Sequence, residues 1–237
     1  MSRVGLVGGL GPESTIDYYR RILEAWQRER PGSAPSIVID SVDVQHMVPL
    51  VEHDHPGLVR YLAASLQRLA GAGVDFAALT ANTPHIVFDE LVSSSPVPLV
   101  SIVETCALGA RRLGVARPLL LGTRFTMEGP FYPKVFARHG LELVRLESAD
   151  LQWVHERYMG ELLKGEFRDA TRDGFVALVS RLREARRIDA VILGGTELPL
   201  LLKEPTVAGV PALDTTALHV AAIVERLLQA EGSHARD

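Results

Sequence analysis

The chain is short of cysteine, of long apolar runs and of net charge, and each shortage excludes a class of protein. Cys106 is the single cysteine among 237 residues, which excludes an internal disulfide framework and a cysteine-based zinc site and fits a reducing cytoplasm. No run of about 18 apolar residues occurs, so we expect no membrane span. We expect no signal peptide, because the start, MSRVGLVGG, is too short and glycine-rich for one. A net charge of −4 without a long basic run argues against nucleic acid as a partner.

Short apolar runs alternate with longer segments of helical spacing along the whole chain. Such alternation, with strands rich in Val, Leu and Ile, is typical of parallel α/β sheets. The predicted strands are Val4–Gly8, Ser36–Asp40, Phe76–Thr80, Leu99–Ile102, Leu119–Gly122, Leu141–Leu146, Ala190–Gly194 and Val210–Leu213. The predicted helices are Thr15–Arg28, His55–Ala72, Glu104–Leu113, Pro130–His139, Asp173–Glu184 and Thr216–Gln229.

Three landmarks recur in the two halves at one spacing. The pairs, each 114 residues apart, are Gly8 with Gly122, Tyr18 with Tyr132, and Ala81 with Gly195. We therefore predict an α/β fold of two pseudo-symmetric domains, each with a mainly parallel sheet flanked by helices, and an active-site cleft between them. The expected N-terminal domain is 1–104 plus 213–237, and the expected C-terminal domain is 105–212.

A glycine-rich turn, in VGLVGGLGPES, follows the first strand. Gly8 and Gly9 could bring the backbone close to an anion at the start of a helix, or they could simply form a tight turn. The spacing fits neither the dinucleotide-binding nor the Walker pattern.

Polar residues follow three further strands. Thr83 suits a helix N-cap and Pro84 the first helical position, while Asn82 and Thr83 also offer donors to a carboxylate. Thr196 holds the matching place in the second half, and Thr123 could hold an anion after its strand. Plain helix capping is the alternative, but donors at the same point in both halves favour ligand binding.

Two other features suggest chemistry only weakly. The run from Glu52 to His55, with alternating acidic and imidazole groups, lacks a metal-ligand spacing, so we expect a polar loop or helix start and no metal. Cys106 lies in the apolar pattern Ile102–Leu108 and is expected to be a buried core residue.

The segments VGLVGGLGPESTIDYY, TANTPH, LLGTRFTMEGPFY, GGTELPLLL and DTTALH together resemble the aspartate/glutamate racemase family, most closely its broad-specificity amino-acid racemase branch. The resemblance runs from Val4 to about Leu227. It implies two pseudo-symmetric α/β domains with the active site between them. It also implies no pyridoxal phosphate, metal or other cofactor, a homodimer, and a small amino acid or dicarboxylate as substrate.

Members of the family typically carry Cys-Asn-Thr in the first half and Gly-Cys-Thr-Glu in the second, and the two thiols exchange the α-proton on opposite faces of the substrate. This chain has Ala81 and Gly195 at those places, and neither side chain binds a proton. The binding side of the resemblance is kept, and it assigns substrate contacts to Gly8, Gly9, Asn82, Thr83, Thr123 and Thr196.

Three interpretations stay open. The chain could be an enzyme of the racemase fold with another acid/base, which would make it a racemase-like isomerase or a divergent lyase, decarboxylase or cyclase. It could be a non-catalytic amino-acid-binding protein, or a variant engineered to trap substrate. The candidates for the acid/base are His46, His85 and Glu197, with Asp43 and Tyr18 behind them.

Overall fold

A computed structural model describes residues 2–234, without the side chains of Pro12 and of residues 231–234. Residues 235–237, which the predicted N-terminal domain includes, lie outside the described residues. The strands are β1 (Arg3–Gly8), β2 (Ser36–Ser41), β3 (Phe76–Leu79), β4 (Leu99–Val100), β5 (Pro118–Gly122), β6 (Ala190–Gly194), β7 (Thr206–Val207) and β8 (Val210–Asp214). The helices are α1 (Pro12–Glu29), α2 (Val44–His53), α3 (His55–Gly71), α4 (Phe88–Ser94), α5 (Ile102–Arg112), α6 (Arg124–Glu128), α7 (Phe131–Arg138), α8 (Ser148–Gly160), α9 (Asp169–Arg186), α10 (Leu198–Leu201) and α11 (Thr215–His234), with 3₁₀ turns at Thr83–Val87 and Leu162–Lys164.

The chain divides into two compact units, Met1–Ile102 with Thr216–Asp237, and Val103–Thr215. The first unit holds a parallel sheet of order β2-β1-β3-β4, and the second a sheet of order β5-β6-β8-β7, in which β7 alone is antiparallel among the described strands. The predicted α/β fold with parallel sheets flanked by helices is confirmed. The predicted cleft between the domains stays a prediction.

The central strand pairs of the two sheets share one register. Val7 pairs with Leu79 in the first sheet and Leu121 with Leu193 in the second, so each pair joins residues 72 positions apart. The repeat seen in the sequence is therefore also a repeat of strand pairing. In each sheet the second strand of the pair leads to the position, Ala81 or Gly195, at which the resemblance predicts a thiol.

The predicted strand Leu141–Leu146 is wrong in extent. Only Val144 forms a bridge, parallel to Leu119, and its N–H donates to the carbonyl of Pro118 at 2.9 Å. Glu142 and Arg145 are exposed on the outer side, so the segment follows the sheet edge without extending the ladder. The strand β7 and five helices have no counterpart among the predicted elements: α2, α4, α6, α8 and α10.

Helix α11 returns the chain to the first unit. Val220, Ile223 and Leu227 are buried in the same apolar cluster as Val4 and Leu6 of β1. One face of the helix is thus committed to the core. Within the described residues no helix has the length and apolar composition needed to cross a membrane.

A buried polar chain links α1, α11 and β4 inside the first unit. The imidazole of His219 donates from Nε2 to the carbonyl of Val100 at 3.0 Å, and its Nδ1 accepts from the Tyr18 hydroxyl at 2.9 Å. Both side chains are fully buried. Tyr18 is therefore a core residue of the first unit, and this position favours a structural role over the acid/base role considered above.

The His219 site predicts acid-sensitive stability. Burial lowers the pKa of His219 to about 4, whereas an unfolded histidine titrates near about 6.5. Between these values the unfolded chain binds a proton that the folded unit excludes, so the free energy of unfolding falls as the pH falls, by about 1 kcal/mol per pH unit near pH 5. In denaturant titrations across this pH range, the free energy of unfolding of His219→Asn should depend less steeply on pH. The difference in slope should correspond to one proton bound on unfolding.

His53→Asn is the matched control, because the His53 side chain is 78% exposed. It should keep the pH slope of the original chain. An unchanged slope in His219→Asn would show that His219 is not held neutral by the fold.

Candidate functional site

The glycine turn after β1 packs tightly against the segment that follows β2. Gly9 has a φ of +77°, and a Cβ at this position would lie 2.8 Å from the backbone nitrogen of Val42. The Gly9 N–H donates to Oγ1 of Thr15 at 2.9 Å, and the Gly8 carbonyl accepts from the N–H of Val42 at 2.9 Å. Close packing thus accounts for both glycines, and their predicted role in substrate binding stays a prediction.

The segment after β3 turns into a 3₁₀ helix, Thr83–Val87, one residue earlier than the sequence suggested. Asn82 stands at the cap position and makes no side-chain cap hydrogen bond there, so the prediction of Thr83 as N-cap is wrong. The reason is that Asn82 already has helical angles, φ −77° and ψ −48°. Ala81 is half-buried and Asn82 is buried at the end of the strand.

His85 is built into the backbone of the first unit. Its Nδ1 donates to the carbonyl of Ala81 at 3.1 Å, and its Nε2 accepts from the N–H of Ile102 at 3.3 Å. The ring stacks on Phe88, with centroids 4.7 Å apart. Burial, and then the nearby His219, lower the pKa of His85 to about 3. This arrangement favours a structural role over proton transfer.

Two other residues could be considered in place of a thiol at position 81: Thr80, its neighbour in sequence, and Cys106, the single cysteine. Both are engaged elsewhere. The Thr80 hydroxyl donates to the carbonyl of Val7 at 3.1 Å, toward the neighbouring strand. Cys106 is fully buried in α5, and burial raises the pKa of its thiol. Neither group is placed as a substitute for a thiol at position 81.

The candidates on α2 lie at the surface. His46 is exposed, with its ring centroid 4.8 Å from that of Tyr61. Asp43 caps α2 by accepting from the N–H of Gln45 at 2.8 Å. Asp54, in the run that resembled a metal cluster, caps α3 in the same way.

Thr123 caps the short helix α6 after β5. Its Oγ1 accepts from the N–H of Thr126 at 3.3 Å, the ordinary geometry of a threonine N-cap. The next N–H, that of Arg124, donates to Nδ1 of His155 at 3.2 Å, and the Arg124 guanidinium donates to Gln152. Burial, followed by the charge of Arg124, lowers the pKa of His155.

The end of β6 carries a buried polar cluster of the second unit. Gly195 is buried, and the phenol ring of Tyr158 from α8 occupies the space beside it. The Tyr158 hydroxyl donates to Oε2 of Glu197, which also accepts from the Thr196 hydroxyl at 3.0 Å. Glu197 is 8% exposed and Tyr158 2%. Burial, and then the charge of Glu197, raise the pKa of Tyr158 well above its usual value near 10.

Tyr158 and His155 were missed by the sequence reasoning because their helix was missed. A signal was present, since Leu151, Val154 and Tyr158 follow the three-and-four spacing of a helical face. Nothing in that spacing shows that the face meets Gly195.

The solved structures define the class of fold. The chain is similar to a Yersinia pestis protein with a provisional Asp/Glu racemase assignment, at 32% identity and a TM-score of 0.89 over 96% of this chain and 100% of that chain. It is also similar to an aspartate racemase homologue from Pyrococcus horikoshii OT3, at 33% identity and a TM-score of 0.83 over 96% and 99%. Residues 7–223 match the sequence profile of the Asp/Glu/hydantoin racemases, and the chain belongs to this family.

Among curated proteins, the chain is similar to the broad-specificity amino-acid racemase RacX of Bacillus subtilis strain 168. The identity is 26% over 150 residues, which cover 60% of this chain and 63% of that protein. The match thus spans less than two thirds of the relative's length. Family membership and these relatives together confirm the predicted resemblance.

The glycine turn gives a stability prediction with two separable causes. Gly9→Ala should be destabilised both by its left-handed backbone conformation and by a clash with the Val42 backbone. Gly140 shares the left-handed conformation, with a φ of +71°, but no heavy atom lies within 4 Å of a Cβ built there. We expect Gly140→Ala to lower the free energy of unfolding by about 1 kcal/mol, and Gly9→Ala by about 3 kcal/mol. Urea titration measures both, and equal losses would contradict the packed turn.

Proposed function

We propose that this chain is a cofactor-independent enzyme that transfers a proton at a carbon next to a carboxylate, in an amino acid or a small dicarboxylate. Membership of the racemase family supports an amino-acid racemase-like isomerase. The observation that carries the proposal is Glu197, a buried carboxylate two residues beyond the position at which the family's second thiol is expected. A buried carboxylate with two hydroxyl partners can accept and return a proton.

The proposal excludes the two-thiol mechanism for this chain. Ala81 and Gly195 carry no titratable group, and the thiol of Cys106 is buried in α5. In this proposal Glu197, which follows β6, is the base.

The residues around position 81 favour chemistry that needs one proton carrier only. The Thr80 hydroxyl is bound to Val7, and both ring nitrogens of His85 are bound to the backbone. One proton carrier supports exchange on a single face of the substrate, and it also supports decarboxylation or elimination, which need no second base. A divergent lyase, decarboxylase or cyclase therefore falls within the same proposal.

A non-catalytic amino-acid-binding protein is the second candidate. It is favoured by the absence of a titratable side chain at both Ala81 and Gly195, beside polar neighbours that remain at Asn82 and Thr196. In either case the substrate contacts proposed for Asn82, Thr83, Thr123 and Thr196 rest on the family resemblance. We also propose that the protein is a cytoplasmic homodimer, and light scattering in solution tests the dimer directly.

Proton NMR in D₂O tests the function. The protein is incubated with the two enantiomers of aspartate, glutamate and alanine and with malonate, and the α-proton signal and the optical purity are followed together. We expect loss of the α-proton signal of at least one substrate, and retention of configuration would show that a single proton carrier acts on one face.

Other outcomes separate the alternatives. Exchange with loss of chirality would support a thiol-free racemase, and release of CO₂ or ammonia would identify a lyase. Saturable binding without any exchange or product would overturn the enzyme proposal in favour of the binding protein.

A further inference from the structure

The space beside Gly195 is occupied by Tyr158, which lies on helix α8. A Cβ built on Gly195 would lie 2.6 Å from Cζ and 2.5 Å from Cε2 of Tyr158, and closer still to the hydroxyl oxygen. Carbon atoms in ordinary contact stay about 3.5–4 Å apart. The phenol oxygen therefore stands where the side chain of any larger residue at position 195 would begin.

Tyr158 is held in this place from both ends. Its ring belongs to the apolar cluster of the second unit, together with Leu119, Val191 and Phe175. Its hydroxyl donates to Glu197 inside the unit. The position is thus determined by packing and by a charge-assisted hydrogen bond, which is the stronger kind.

We propose that Tyr158 replaces the side chain missing at position 195, and that its hydroxyl and the Glu197 carboxylate together carry the proton exchanged with the substrate. The catalytic half of this inference rests on the function proposed above. The steric half, that Tyr158 needs glycine at position 195, stands independently of it.

Every proton is accounted for in the proposed deprotonation of the substrate. When the substrate is deprotonated, the Cα–H bond breaks, its proton bonds to the Tyr158 oxygen, and the proton already on that oxygen moves to Glu197. The electron pair of the broken bond stays on the substrate, delocalised into its carboxylate. The reverse movement returns a proton to the same face.

Tyr158 is a neutral phenol before and after this step, while Glu197 changes from carboxylate to acid. The environment agrees with that order, because burial and the Glu197 charge raise the pKa of Tyr158 and disfavour a free phenolate. A buried tyrosine alone would be a poor base, and Glu197 supplies the acceptor that makes the transfer possible.

The steric half is tested by a thermal-unfolding cycle of Gly195→Ala, Tyr158→Leu and the double variant. Gly195→Ala should lower the unfolding midpoint by several degrees in the original background and by much less with Tyr158→Leu, because leucine lacks the ring atoms that meet the new Cβ. Gly160→Ala, on the same helix as Tyr158 and with no heavy atom within 4 Å of its Cβ, is the control without a clash. Equal penalties in both backgrounds would overturn the steric half.

The catalytic half is tested by Tyr158→Phe and Glu197→Gln in the D₂O exchange assay, with the substrate of the panel that exchanges fastest. Tyr158→Phe keeps the ring and removes the hydroxyl, so we expect kcat to fall about 100-fold with KM nearly unchanged. For Glu197→Gln we expect a similar fall in kcat, since an amide cannot accept the relayed proton.

Thr171→Val is the matched control, because the Thr171 hydroxyl also donates to a buried carboxylate of the second unit, that of Glu161. It should lose stability but keep kcat. If the original chain exchanges protons and Tyr158→Phe does so at the same rate, the relay is overturned and the proposed function stands. If the original chain exchanges with no member of the panel, the proposed function and the relay fail together, and the unfolding cycle still decides the steric half.

Discussion

The shared register of the two central strand pairs, β1 with β3 and β5 with β6, is the constraint on which the rest of the molecule depends. These strands are almost entirely buried, so their N–H and C=O groups must be paired in the ladder and their side chains must be apolar. Polar chemistry is possible only where a strand ends. In each sheet the second strand of the pair therefore delivers the chain to a short turn that carries the candidate residues.

Close packing makes the residues at the end of β6 depend on one another. Protein interiors have few voids, and a missing side chain leaves a cavity that costs stability. At position 195 the ring of Tyr158 takes up the space, and this brings a phenol hydroxyl into the interior. A buried hydroxyl needs a partner, and Glu197 provides it. The same three residues thus serve the packing of the second unit and the chemistry proposed for it.

The strands of both sheets were largely predictable, because buried parallel strands are continuous apolar runs bounded by glycine or polar residues. The helices were less so. Helix α2 contains Pro49, which local rules interpret as a break, yet burial of Met47 and Val51 holds the helix together. The candidate site was predictable at the strand ends, as with Glu197, but not in its contacts. His85 is a candidate acid/base in the sequence by its residue type, and its two backbone partners are visible only in the structure.

The sequence by itself determined the strand-end positions, the repeat between the halves, and the absence of a titratable group at Ala81 and Gly195, since these follow from residue identity and local periodicity. Only the tertiary structure decided what fills the space beside Gly195. Tyr158 lies 39 residues before Glu197 in the chain, and no local rule connects α8 with the end of β6. Their contact exists because the buried face of α8 packs into the core of the second unit, and that packing brings the Tyr158 hydroxyl beside Gly195 and Glu197.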